Sequence, residues 1–420
     1  MTATTTATTN PVFVLGGAQS DFARNLAREG VGLAELTREV VEAALADAQV
    51  EAAEIDVVHV GNAFGELFTG QAHLGALPAS VVPSLWGKPA ARHEAACASG
   101  SIAALAAAAE LEAGRYDCAL VVGIEQERNV PGELAARHLG AAAWVGREGE
   151  GARFLWPHMF SRLADEIDRR HGLAYAHLAA IARKNFANAR RNPRAQTRNW
   201  TFAPSAFTED DSLNPVVEGR VRRQDCGQIT DGGAAVVLAS ARFAAAWAAR
   251  RGVSLDDIPR VAGWGHRTGG LSLDDKLARS AGQPYLVPHL RDAITDAYRR
   301  AGIAGPEALD GIETHDCFTV TEYLAIDHFG LTPPGEAWRA VEDGSLERGG
   351  RLPVNPSGGL IGLGHPVGAT GVRMLLDAAR QVAGRAGETQ IDGARRFATL
   401  NIGGSATTAV SFIVAVGEER

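Results

Sequence analysis

The sequence of 420 residues predicts an α/β layered fold built from two similar halves. Three observations predict it. Continuous apolar runs such as Cys118-Ala119-Leu120-Val121-Val122-Gly123 have the character of sheet-centre strands, and helical stretches alternate with them. A helix-then-strand unit also recurs: Leu290, Ile294, Ala297, Asp310 and Phe318 match Leu36, Val40, Ala43, Asp56 and Phe64 at one constant offset. Ala369-Thr370-Gly371 answers Ala98-Ser99-Gly100 at a longer offset that requires an insertion, and the strand 398–403 answers the one ending at Gly123. Two such halves pack about a pseudo-twofold, and ligands of such folds bind where the halves meet.

The elements follow in order. Residues 11–17 read as a short buried strand ending in a glycine turn, followed by a helix from Leu33 to Ala48 and a strand from Val57 to Gly61. Residues Ser101 to Gly114 are apolar all round, which marks a helix enclosed by protein. From 126 to 220 the grammar changes to clustered charge, scattered Trp and Pro, and one long amphipathic helix from Tyr175 to Arg190, an excursion from the main fold. The strand and helix grammar resumes with Ile229 to Ala239, a turn leading into a buried strand, and the second half follows.

Composition excludes several function classes. Hydrophobic residues at 46% suit two or three domain-sized units with a large core, while a net charge of −8 and scattered basic residues suggest neither nucleic acid nor a membrane as partner. Lysine occurs only at 88, 184 and 276, so a phosphate-bearing ligand must be held by Arg or backbone N–H groups. Cys97, Cys118, Cys226 and Cys317 are far apart, which argues against a zinc site or a disulfide framework and fits a reducing compartment. Residues 1–10 lack a signal peptide's features and read as a frayed tail on a cytoplasmic protein.

Chemistry concentrates in four places. Cys97 precedes the enclosed helix, whose dipole is expected to lower its pKa, with Ala98 and Gly100 small enough to admit a substrate. His365 lies on a rigid bend in a glycine-rich run from Asn355 to Gly371. At a strand end, His315 and Cys317 stand where the first half has Gly61 and Ala63. Leu400-Asn401-Ile402-Gly403-Gly404 ends a strand in a glycine turn whose N–H groups can face an oxyanion. Cys118 and Cys226 are assigned to packing.

Cys97-Ala98-Ser99-Gly100 opening an alanine-rich helix, Asn355-Pro356-Ser357-Gly358-Gly359 followed by Gly364-His365-Pro366-Val367-Gly368-Ala369-Thr370-Gly371, and the terminal Gly403-Gly404 turn together resemble the thiolase superfamily. His315-Asp316-Cys317-Phe318 is similar to the sterol carrier protein-type branch. The resemblance spans the chain from Pro11 onward. It implies a duplicated βαβαβ core in five α/β/α/β/α layers with an inserted loop domain. Its boundaries here are 11–125 with 221–282 for the N-terminal half, 126–220 for the CoA-binding loop domain, and 283–420 for the C-terminal half.

By the same resemblance Cys97 is the acylated nucleophile and His365 the histidine that activates it and lines one oxyanion hole. His315 helps to bind the thioester oxygen, and the N–H groups of Cys97 and Gly403 form a second oxyanion hole. Typical thiolases carry a second catalytic cysteine where this chain has Asn401, which is counted here among the substrate-binding residues. The acid/base role then passes to Cys317. Met159 is expected to line the acyl pocket, and Arg220, Arg222 and Arg223 to hold CoA phosphates. The implied protein is a homodimeric acyl-CoA C-acyltransferase with coenzyme A as substrate, no tightly bound cofactor and no metal. The alternatives are an acyltransferase or retro-aldol lyase of the same branch, acting with a small OB-fold partner or on a non-CoA substrate, and a non-catalytic scaffold subunit, against which the four reactive side chains argue.

Overall fold

The computed structural model describes residues 10–417, so the expected frayed tail falls, apart from Asn10, outside the described residues. The first half contributes strand β1 (Val12–Gln19), helix α1 (Leu33–Ala48), strands β2 (Val57–Gly61) and β3 (Ala90–His93), helix α2 (Ser99–Glu112) and strand β4 (Cys118–Glu125). Helices α3 (Leu155–His171) and α4 (Tyr175–Ala189) and a small hairpin, β5 (Val216–Glu218) with β6 (Val221–Arg222), follow before the fifth core strand, β7 (Gly232–Ser240). The second half contributes β8 (Arg260–Thr268), α5 (Pro288–Arg300), β9 (Gly311–Thr314), α6 (Thr319–Phe329), α7 (Val367–Val382), β10 (Arg396–Gly403) and β11 (Thr408–Ala415).

The repeat read from the residues is present as topology. The first sheet runs β3-β2-β4-β7-β1 and the second β8-β11-β10-β9, with Val354 bridging Ile312 beyond β9. Both therefore order their segments third, second, fourth, fifth, first. The sheets touch edge to edge only where Val12 and Phe13 pair with Val261 and Arg260, and otherwise lie in separate layers. Residues of the first sheet alternate between two cores, as the period of a strand requires. Val58, Val60, Leu120 and Val122 pack with Leu36, Val40 and Ala44 of α1. Val57, Ala119 and Val121 pack with Ala103, Ala104 and Ala107 of α2 and Val372 and Leu375 of α7, in a core that also takes Val410 and Phe412 of the second sheet. The far face of the second sheet buries Leu290, Ile294 and Ala297 of α5 with Leu324 of α6. The five layers are α1, sheet, α2 with α7, sheet, and α5 with α6.

Three local readings need correction. Gly16 and Gly17 form no turn: they lie inside β1, where a Cβ on Gly16 would stand 2.7 Å from the Ala48 backbone, so the strand needs glycine to receive the end of α1. The excursion holds a second long helix, α3, whose amphipathic pattern is obscured by Trp156, Pro157 and His158 in its first turn. Gly100 is small for the central helix crossing and not for a substrate, since its missing Cβ would meet the Gly368 carbonyl at 2.6 Å. Ala98, 0% exposed, is closed off as well.

Candidate active site

Cys97 lies in the turn between β3 and α2, two residues ahead of the first helical residue. The turn is held open against local preference: Ala96 has φ of +50°, a conformation side chains rarely adopt. Ser99 clamps it, its hydroxyl accepting from the Ala95 N–H (2.9 Å) and donating to the Ala96 carbonyl (2.6 Å). The sulfur is aimed at two imidazoles from the second half, and the ligating atoms of Cys97, His315 and His365 all lie within 4.8 Å of one another. So compact a donor set could also ligate a soft cation, which the wide cysteine spacing in the sequence does not suggest.

The hydrogen bonds behind the imidazoles give them opposite roles. Thr370 donates its hydroxyl proton to the Pro366 carbonyl (3.0 Å), so its oxygen must accept from His365 Nδ1–H (2.7 Å). His365 Nε2 is then a bare lone pair, buried without a partner and able to accept a proton. On the other ring, Ser101 donates to Asn401 Oδ1 (2.8 Å), so the Asn401 amide donates to His315 Nδ1 (3.2 Å). His315 therefore carries its proton on Nε2 and is a donor, suited to an oxyanion. The rings meet edge to face, centroids 5.2 Å apart.

Burial sets the resting charges. The Cys97 thiol is pushed up to about 12, chiefly by desolvation and then by Glu127, against the N–H groups of Gly404 and of Cys97 itself. This overturns the expected lowering: the helix dipole is worth at most about 2 kcal/mol, and loss of water outweighs it. Desolvation, with the buried Arg373 guanidinium nearby, lowers His365 to about 3. Desolvation, then His365 and Arg373, hold His315 well below the usual imidazole range. The site rests as neutral thiol and neutral imidazoles.

A cavity of about 620 Å³ opens onto Cys97, Cys317 and His365, walled by Phe64, Leu139, Leu155, Trp156, Phe160 and Phe318. Cys317 is buried, its thiol raised well above the ordinary value by desolvation and then by Cys97. Asn401, expected among the substrate-binding residues, is 0% exposed and hydrogen-bonds Ser101 and His315, away from the residues that line the cavity. The N–H that reaches the Cys97 sulfur belongs to Gly404, whereas Gly403 is pressed against the Ala95 carbonyl, 2.2 Å from where its Cβ would be.

Met159 is buried in the core beneath the cavity (1% exposed), and its neighbour Phe160, stacked on Phe318 at 4.6 Å, forms the wall instead. Of the three arginines, Arg223 reaches the cavity. Arg220 is held by Asp165 (2.9 Å) and Asp168 (2.8 Å), and Arg222 by Asp211 (2.6 Å), so both cations are neutralised within their own segment. Cys226 lies on the cavity wall, not in packing alone.

Sequence reasoning missed several groups. Arg153 stands on the cavity wall with Arg223, in a charged loop that offers no motif. Asp316 accepts from the N–H groups of Leu360 and Ile361 and from Asn185 of α4, tying the His315 loop to the glycine-rich run. Lys184 of α4 pairs with Glu322 of α6 at 2.8 Å, both buried. Two more acids stand where β4 stops: Glu125 is its last residue and Glu127 lies two positions on. Glu125 accepts from Asn62, Ala63, Phe64 and Gly368. Glu127 lines the cavity and accepts from Val367 at the start of α7 (3.0 Å). Their signal was available as two acids in an apolar strand end.

Residues 12–242 match the family profile described as "Thiolase, N-terminal domain", and residues 274–416 that described as "Thiolase C-terminal domain-like". An acetyl-CoA acetyltransferase of Methanothermobacter thermautotrophicus is 31% identical over 403 residues, which cover 96% of this chain and 98% of that protein. Human sterol carrier protein 2 is 28% identical over 421 residues, covering 94% of this chain and 70% of that protein. Among solved structures, the Ltp2-ChsH2(DUF35) aldolase superposes with a TM-score of 0.74 at 21% identity, covering 98% of this chain and 99% of that one.

Proposed function

As a member of the thiolase family, the chain is an acyl-CoA C-acyltransferase, and we propose that it works through an acyl-Cys97 intermediate. The pair of imidazoles in opposite tautomers behind one thiol carries this reading, because covalent acyl transfer needs a base and an oxyanion donor together. In cleavage, His365 Nε2 takes the Cys97 proton as the sulfur attacks the 3-keto carbon. The oxyanion is held by His315 Nε2–H and the newly formed His365 Nε2–H. As the oxyanion collapses, the C2–C3 bond breaks and its electron pair passes to the α-carbon of the departing acyl-CoA, which Cys317 protonates. A CoA thiol then gives up its proton to the Cys317 thiolate and attacks acyl-Cys97; the Cys97 thiolate leaves, recovers its proton from His365, and the acyl-CoA is released. Condensation runs the same steps in reverse.

Acetyl-CoA and intact-mass measurement test this. An acetyl adduct is expected on the wild type and none on Cys97→Ala; an adduct persisting in that variant refutes the nucleophile assignment. Cys317→Ala is expected to keep acylation and lose thiolysis of acetoacetyl-CoA, read as loss of its absorbance in the presence of CoA. Full thiolysis there moves the acid/base role elsewhere.

A second reading is a retro-aldol lyase working with a small OB-fold partner, favoured by the likeness to the Ltp2-ChsH2(DUF35) aldolase. It predicts cleavage of a 3-hydroxyacyl-CoA to a carbonyl product and an acyl-CoA, a step that needs no acyl-Cys97, with no acetoacetyl-CoA thiolysis. For CoA phosphates, Arg223 is the favoured candidate; Arg153 shares the wall but pairs with Glu133 at 3.6 Å. We further read the chain as a cytoplasmic homodimer. All four cysteines are free; strand β3 ends its sheet half-exposed, close in sequence to Trp86 at 80% exposure, an open edge that invites pairing. Among the described residues no helix is long and apolar enough to cross a membrane. Light scattering that returns a monomer mass refutes the dimer.

A further inference from the structure

Glu127 is a buried carboxyl in the cavity that the mechanism leaves unused. It is 1% exposed, in the same cavity as Cys97, and the apolar side chains of Val367, Ile229, Phe64 and Leu139 share that wall. A carboxyl there is costly to desolvate unless it has something to bond. Oε1 accepts from Val367 at the start of α7, and the Thr230 N–H also reaches the carboxyl, which still lines the cavity.

We propose that Glu127 is a specificity-determining residue whose carboxyl group hydrogen-bonds an oxygen carried on the acyl chain, so that the enzyme selects oxygen-substituted acyl groups over plain ones. The inference rests on the acyl-Cys97 reading above and names its substrate class.

The placement of charge supports the donor role. Glu125 and Glu127 are close enough to oppose each other's ionisation, and Asp231, which accepts from the Glu127 N–H (2.7 Å), adds to the opposition. Glu125 has four N–H donors to stabilise a negative charge, so it is the better anion of the pair. Burial first, and Glu125 second, push Glu127 well above the ordinary carboxyl range. Burial and Glu125 therefore favour the protonated form of Glu127, which offers an O–H donor toward the cavity. An ionised Glu127 would oppose formation of the Cys97 thiolate, whereas a protonated one does not. A buried acid held neutral so that it can donate is an established device for recognising oxygen.

The experiment measures Cys97 acylation rates by quenched intact mass for butyryl-CoA and its 3-hydroxy and 4-hydroxy derivatives. The wild type is expected to favour at least one hydroxylated chain by about tenfold, the worth of one well-placed hydrogen bond. Glu127→Met should abolish that preference, and Glu127→Gln should keep it, because the amide can both accept from Val367 and donate to the chain. If Glu127→Met fails to fold, the Gln variant and the wild-type ratio still decide: no preference in the wild type overturns the proposal. A preference unchanged in Glu127→Met overturns it as well. Absence of acylation by every acyl-CoA would instead refute the acyltransferase reading itself, a different result from acylation without discrimination.

Discussion

Replacing Thr370 by Val removes one oxygen and keeps the shape. That oxygen accepts His365 Nδ1–H at 2.7 Å and is 0% exposed, so no water replaces it. When Cys97 gives up its proton, His365 becomes an imidazolium. A hydrogen bond from a charged donor is worth about 1.5–3 kcal/mol against about 0.5–1.5 for a neutral one. The lost difference falls on the acylation step, and about 1–1.5 kcal/mol there slows it about tenfold. Freedom of His365 to protonate Nε2 adds to this, so the expected fall in the rate of acyl-Cys97 formation is about 10- to 100-fold. Stability should drop by only about 1 kcal/mol, because the Pro366 carbonyl keeps the Ala369 and Thr370 N–H groups. Rapid-quench intact mass with acetyl-CoA measures the rate, and Thr370→Ser should restore it. Acylation by a folded Thr370→Val within about twofold of wild type would refute the tautomer argument.

The other predictions concern charge, packing and the excursion. With Cys97 held near 12, its alkylation by iodoacetamide should climb about tenfold per unit from pH 7 to 10 without levelling off; a plateau below pH 8 would show a stabilised thiolate. Met159→Ala should cost about 2–5 kcal/mol of stability in a denaturant titration and leave chain-length preference unchanged, whereas Phe160→Ala should shift that preference toward longer acyl chains. A reversed pattern would put Met159 on the wall. Lys184→Met leaves Glu322 buried and unpaired, so it should destabilise by about 3–5 kcal/mol, far more than an exposed lysine would; a midpoint shift within error would contradict the pair's burial.

The core strands and the enclosed helix α2 were legible because strand and helix periods are local and their residues are buried on all sides. Helix α3 was not, because Trp156, Pro157 and His158 break its pattern where it begins, and Lys184 gives no sign in sequence that it is buried. Cys97 was legible as the residue ahead of an enclosed helix, His365 as a glycine-bounded bend, and His315 and Cys317 as strand-end residues with no structural need for their chemistry. Met159 and Phe160 are neighbours in sequence, and only the packing of α3 on the second half determines which one meets the cavity.

By itself the sequence determined the doubled topology, the family and the order of the reactive groups, since these are written in spacing and in runs of a few residues. Tertiary structure decided their states. Ser101 and Asn401 lie 300 positions apart, and their bond makes His315 a donor. Burial in the surrounding protein outweighs the helix behind it and keeps Cys97 a thiol. Charge and tautomer depend on burial and on partners brought from distant parts of the chain, and no local pattern carries that information.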